Sequence, residues 1–420
     1  MIDKYNIDEV KKWASIVSKK IDYYSDDDFD IEIGEESIYI SLPGDDQGEA
    51  LETEDFINFG FEISDFKIEN HGRIQTTTLT YQIIKAESED LEYYLKNTSD
   101  FYQEIDGIEL RIMEAPIYVG IACIELGAYH DDFGSNYQHL LAIEITYPDK
   151  RNRLNLAEET ELIYSYLFEI ADSTGLIFYL SKIIVRDPEL EQKIEALINV
   201  ELGVLDGEEE KEEEKESVEE ISEDDYVLKP LLAYSESMKL YVSALQTNDK
   251  ELRLLNFYKI LEYYAPIVIN IGSYQLLAQK LDSPKVLKPN RVFLKSIFDL
   301  VNSTNQRLRD SELIKSVFNT CFDLVDTFHF LPESMQRKVL GIIKEKEINY
   351  NTKKEKLSQA SNIISNTLYS TRNKVVHAKS NFEPTGDECN DKDIEQLNIF
   401  LKEITGRIIR WSTKLPDIQK

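Results

Sequence analysis

The hydrophobic pattern changes character part-way along the chain. Between residues 29 and 147, short apolar runs alternate with polar residues: FDIEI, SIYISL, INFGFEI, TTTLTYQII, IELRIM, IYVGIACIEL and HLLAIEITY. Ile, Thr and Tyr at period two predict strands. Helical spacing precedes them, with Val10, Trp13, Ile16, Val17 and Ile21 within Asp8–Tyr23, and returns at Leu156–Gly175. A further helix is predicted over DPELEQKIEALINVEL, where Asp187 and Pro188 make an N-cap and first-turn pair. Residues 1–205 therefore read as an α+β domain with a mainly antiparallel sheet.

Beyond Tyr226 the strand signals fade. In KELRLLNFYKILEYYAPIVI, Leu254, Phe257, Ile260 (or Leu261) and Tyr264 fall on one helical stripe, and Pro266 is expected to end or kink that helix. Further helices are predicted at Arg291–Ser303, Asp310–Phe328, Pro332–Lys346, Lys353–Ala378 and Asp391–Thr413. Residues 226–420 read as an all-α helical bundle.

Charge marks the boundary. Residues 206–225, DGEEEKEEEKESVEEISEDD, hold 13 acidic and 2 basic residues; such density buries almost nothing and predicts a linker. Of the formal charge of −32, residues 1–205 carry −28 and residues 226–420 carry +7. The C-terminal half thus suits a phosphate backbone and the N-terminal half repels one. The three cysteines are far apart and fit a reducing compartment. No apolar run approaches a membrane span, and the opening MIDKYNIDEVKKWASIV has no signal-peptide core. A cytoplasmic protein with no membrane partner is expected.

The chemistry-bearing residues are few. His130, Asp131, Asp132 and His139, with Glu125, match no metal-site spacing and read as a polar loop, and no Gly-rich phosphate loop is present. No metal and no cofactor are expected. The remaining constellation is Arg372-Asn373-Lys374-Val375-Val376-His377. A guanidinium fork suits phosphate, and an imidazole takes and gives a proton near neutrality. With an RNA 2′-hydroxyl as nucleophile, those two groups suffice for cleavage. On a straight helix Arg372 and His377 lie about 140° apart, so Asn373 is the residue on the face of His377. Spacing alone favours a solvated helix face.

STRNKVVHAKS, late in a helical domain, resembles the Arg-Asn-x-x-x-His signature of the HEPN superfamily, and LLNFYKILEYYAPIV resembles the early helix of the ApeA-like HEPN domains of bacterial anti-phage defence proteins. The resemblance covers residues 227–420. It implies a helical bundle, a homodimer through the motif helices and metal-independent RNA cleavage, in a toxic effector of abortive infection. It carries Arg372 and His377 over as catalytic residues, Asn373 as the polar position between them, and Glu262 as an acidic residue of the early helix. Lys374 and Lys379 flank the motif as phosphate contacts, and Tyr369 is a candidate for stacking a base. Other cations of the domain, such as Lys353, Lys356 and Arg337, extend the candidate RNA track. The N-terminal domain would then sense a phage-derived trigger or bind an inhibitory partner. The alternatives are a catalytically inactive HEPN scaffold or RNA-binding module whose acidic N-terminal domain binds a partner protein, and an acidic mimic of nucleic acid.

Overall fold

The computed structural model describes residues 7–21, 30–33, 37–41, 49–87, 101–126, 140–183, 228–304, 310–377 and 385–416. The metal-candidate loop at 130–139, the helix expected at 187–202, the acidic segment 206–225 and Lys379 lie outside them. Two compact units emerge, one of residues 1–159 and 169–231, the other of 160–168 and 232–420.

The first unit joins antiparallel sheets to helices, as the period-two pattern predicts. Helix α1 (Ile7–Ile21) precedes a three-stranded meander of β1 (Asp30–Ile33), β2 (Ile38–Ser41) and β3 (Glu49–Leu51). Helix α2 (Thr53–Ile63) follows, then β4 (Lys67–Glu69), β5 (Arg73–Gln75), β6 (Leu79–Ala86), β7 (Gln103–Ile105), β8 (Ile108–Glu114), helix α3 (Ile117–Glu125), β9 (Leu141–Thr146), helix α4 (Leu156–Thr174), whose residues 160–168 are counted with the second unit, and β10 (Phe178–Leu180). The large sheet runs β4-β5-β6-β9-β8-β7, all antiparallel, with β10 also pairing β6. Asp106 and Gly107, both at positive φ, make the tight β7–β8 turn. Val10, Val17, Phe56, Phe59, Ile74, Tyr81, Ile83 and Val119 share one core.

Two runs expected as strands are helices. INFGFEI belongs to α2, whose buried Phe56, Phe59, Gly60 and Ile63 follow helical spacing. Gly60 belongs there because a Cβ would sit 2.9 Å from Trp13 of α1. IYVGIACIE forms α3, buried on nearly every side, so no polar stripe reveals its period and its β-branched residues mislead.

A carboxylate is buried in the first unit. Glu159, fully buried, accepts from Tyr147 Oη (2.6 Å) and Thr80 Oγ1 (2.9 Å) and pairs with Arg73 (3.5 Å) and Arg153 (3.8 Å). Burial and this carboxylate raise the Tyr147 phenol well above its usual range.

The second unit is all helical: α5 (Glu236–Leu245), α6 (Lys250–Leu281), α7 (Arg291–Thr304), α8 (Asp310–Thr320), the single turn α9 (Leu324–Thr327), α10 (Glu333–Ile343), α11 (Lys354–Val376) and α12 (Ile394–Thr413). Asp249 caps α6 by accepting from the N–H groups of Glu251 and Leu252. α6 is the central helix, packed by α5, α8, α11 and α12, and its buried Leu254, Phe257, Ile260, Leu261 and Tyr264 include the expected stripe. Tyr264 Oη meets Ser237 of α5 and Ser412 of α12.

Pro266 does not end α6, which continues to Leu281. Proline removes one intrahelical donor, at a cost of about 3 kcal/mol, and the neighbours Tyr264, Ala265 and Val268 are all buried; their packing outweighs the loss. The helix expected over 310–328 instead breaks after Thr320, where Asp323 starts a new turn by accepting from Val325 N–H. Among the described residues no helix is long and apolar enough to cross a membrane.

Candidate functional site

The motif helix α11 buries Ala360, Ile364, Thr367, Leu368 and Thr371. That i, i+4, i+7 spacing fixes its rotation in the bundle. Arg372 therefore emerges at the border of the buried face, with its side chain 29% exposed. Tyr258 and Glu262, one turn apart on α6, present one face to it. The guanidinium carbon lies 5.7 Å from the centre of the buried Tyr258 ring. Nη2 donates to Glu262 Oε1 (3.4 Å) and Nη1 to Asn373 Oδ1 (3.1 Å). The planar fork is thus held on one face by an aromatic ring and at two nitrogens by acceptors.

His377 is the first residue past the helix. Its φ of −103° and ψ of 12° are non-helical, and its N–H closes the last helical bond onto the Asn373 carbonyl (3.0 Å). The ring belongs to an exposed residue at the C-terminal end of α11. Asn373 and His377 are thus linked through the backbone, while the Asn373 side chain serves Arg372. Residues 373 and 377 lie one turn apart, 377 being the C-cap residue of α11.

The segment after the motif is tied down beside it. Cys389 N–H donates to Thr371 Oγ1 (2.9 Å), and Lys374 Nζ donates to Asp391 Oδ1 (2.5 Å). Lys250 of α6 donates to the Asp391 carbonyl (3.0 Å), and Ser334 of α10 to Asp393 (2.6 Å). Lys374 therefore already has a carboxylate partner. Tyr369 is half-buried, three residues before Arg372 on the same side of α11.

Arg372, Asn373 and Glu262 are brought together, with His377 at the adjoining helix end. Sequence reading missed the support under Arg372: the Tyr258 ring carries the guanidinium. The signal was its position four residues before Glu262. Among the described residues no three His, Cys, Asp or Glu side chains are gathered as metal ligands.

No family model matches the chain, and neither a curated protein nor a solved structure matches it.

Proposed function

We propose that the helical unit is a HEPN-type endoribonuclease needing no metal ion, with Arg372 and His377 as its catalytic residues. The observation that carries this reading is the held guanidinium: Arg372 rests on Tyr258 and is clamped by Glu262 and Asn373, next to an exposed imidazole. His377 removes the proton of the RNA 2′-hydroxyl. O2′ attacks the adjacent phosphorus, the P–O5′ bond breaks, and the departing O5′ takes up a proton from solvent, so the products are a 2′,3′-cyclic phosphate and a 5′-hydroxyl. Arg372 offsets the charge that grows on the non-bridging oxygens, the stabilisation that is usually largest. Its pre-set orientation reduces the ordering cost of presenting N–H groups to phosphate. Asn373 and Glu262 act as positioning residues. Its role would be that of a toxic effector in anti-phage defence.

The test is cleavage of single-stranded RNA by the purified full chain, wild type beside Arg372→Ala and His377→Ala, with and without EDTA. Cleavage lost in both variants and kept in EDTA supports the reading. Cleavage by His377→Ala at the wild-type rate, or its loss in EDTA, overturns it. A second reading, an inactive binding module, draws on the same clamp, because Glu262 already neutralises Arg372; RNA binding without cleavage by the wild type would select it.

A further inference from the structure

Three bases from three different helices end on one short stretch of chain, residues 387–395. Lys338 of α10 donates to Asp387 (3.1 Å), Lys374 of α11 to Asp391 (2.5 Å) and Arg253 of α6 to Glu395 (2.5 Å). Lys250, also of α6, donates to the Asp391 carbonyl (3.0 Å). The three acids recur at every fourth residue. In each pair the base is the more covered partner: 37% exposed against 60% for Lys338, 33% against 68% for Lys374 and 23% against 56% for Arg253. Solubilising charges intersperse the two signs across a surface; here the cations lie beneath and the carboxylates over them. The ion pairs are not what fastens the stretch. Cys389, between the first two acids, is buried and its N–H donates to Thr371 Oγ1 (2.9 Å), and Asp393 accepts from Ser334 (2.6 Å). Ser334 and Lys338 are one turn apart on α10, so the stretch runs along one face of that helix. Ion pairs this exposed add little stability, so the acids can release their bases while Cys389 stays in place.

We propose that residues 387–395 are an acidic strap over a phosphate track, in which backbone phosphates of single-stranded RNA replace the carboxylates of Asp387, Asp391 and Glu395. The choice of RNA rests on the ribonuclease reading. Lys374 stands between Arg372 and His377 in the sequence, so the track adjoins the proposed site. Chemistry selects a polyanion. A carboxylate and a phosphate offer a lysine or a guanidinium the same ligand, anionic oxygens at hydrogen-bonding distance. A lone phosphate would meet one of these bases, whereas a nucleic-acid backbone brings a phosphate to each. The strap is thus a resident competitor. RNA fills the track only by displacing its carboxylates, which raises the RNA concentration the site requires.

The test is equilibrium binding of a 2′-O-methyl oligoribonucleotide, which lacks the attacking hydroxyl and is not cut, to the full chain across a salt series. Wild type is compared with Asp387→Asn/Asp391→Asn/Glu395→Gln. A control, Glu236→Gln/Asp282→Asn/Asp299→Asn, loses the same charge at exposed positions away from the strap. The strap variant is expected to bind roughly tenfold tighter. Its slope of log affinity against log salt is expected to be steeper by about two, at ~0.7 per neutralised phosphate of a single strand. The control should keep the wild-type slope. Asp391→Asn alone, the mildest form of the change, should steepen it by ~0.7. Adding Lys338→Gln and Lys374→Gln to the strap variant should remove most of the gain. A strap variant no steeper than the control overturns the proposal. So does a gain that survives loss of both lysines, or an oligonucleotide that binds none of these proteins. The strap and the ribonuclease fail separately. Tight, salt-steep binding by a strap variant that cuts no unmodified RNA keeps the strap and removes the nuclease. Cleavage by wild type, with binding unchanged in the strap variant, does the reverse.

Discussion

Arg372 and Glu262 are 110 residues apart in sequence, and their side chains meet at 3.4 Å. The pair joins the motif helix to the central helix of the bundle. Both groups are partly exposed, so the ion pair itself adds little stability; its effect is orientation. Arg372→Ala is expected to slow RNA cleavage by about 10²–10³-fold, the usual cost of removing one transition-state donor. Glu262→Gln keeps the volume and an acceptor, so its loss should be smaller, roughly tenfold. Arg372→Lys should behave like the alanine variant, because an ammonium cannot replace a fork that bonds at two nitrogens while lying on a ring. Single-turnover cleavage of a labelled RNA measures all three. Full activity in Arg372→Lys would remove the fork from the mechanism.

A pH dependence follows from the segment packed behind the motif. Burial raises the Glu388 carboxyl, but the N–H groups of Thr385 and Gly386 and the Thr385 hydroxyl donate to it and bring it down to about 2. A carboxyl lowered on folding stabilises the folded chain above its ordinary value of 4.5, and the contribution disappears as pH falls toward 2. Wild type should therefore melt above Glu388→Gln near neutrality, and the gap should close between about pH 4.5 and 2. A gap independent of pH would mean that the carboxylate charge contributes nothing.

Glu159 tests the first unit. Both it and Arg73 are buried, and the carboxylate also takes hydrogen bonds from Tyr147 and Thr80. Glu159→Ala leaves a guanidinium in the interior and opens a void. The expected cost is about 3–5 kcal/mol, read from urea unfolding followed in the sheet unit. Replacing an exposed carboxylate such as Glu104 should cost under about 0.5 kcal/mol. Equal effects would show that burial of this network is not what stabilises the unit.

The same comparison shows how far the sequence reaches. Helices of the second unit such as α10 and α12 were legible because they are apolar on one side and wet on the other. α3 was not, because a helix wrapped in protein shows no period. The motif was legible as spacing, since Arg372, Asn373 and His377 are neighbours in the chain. Their environment was not. Nothing local marks Tyr258 as the surface under a guanidinium, or Thr371 as the acceptor of the Cys389 amide, because both relations are set by how α6, α11 and the following segment pack. The end of α11 at Val376 was also hidden: Ala378 and Lys379 are acceptable helix residues, and no glycine or proline announces the stop.

One boundary drawn from charge fails as a place to cut. The acidic segment suggests that residues 226–420 are a separable domain, yet residues 160–168 belong to the helical unit. Phe168 is fully buried there, edge-on to Tyr241 at 5.0 Å and beneath the Arg410 guanidinium at 5.4 Å. Ser165 Oγ donates to the Leu232 carbonyl (2.5 Å). A fragment starting at Tyr226 loses all of these and exposes Tyr241 and Phe168's side of the core. Phe168→Ala in the full chain should cost about 3–5 kcal/mol, and the 226–420 fragment more, so it should be recovered as aggregate or with a broad, low-temperature melt. A fragment beginning at Asn155, the residue that caps α4, keeps the missing turns and should melt cooperatively. Deletion experiments that ask whether the acidic half restrains RNA cleavage are therefore expected to lose activity through unfolding when cut at 226. A 226–420 fragment with a cooperative transition matching that of the 155–420 fragment would show that residues 160–168 do not contribute to the helical core.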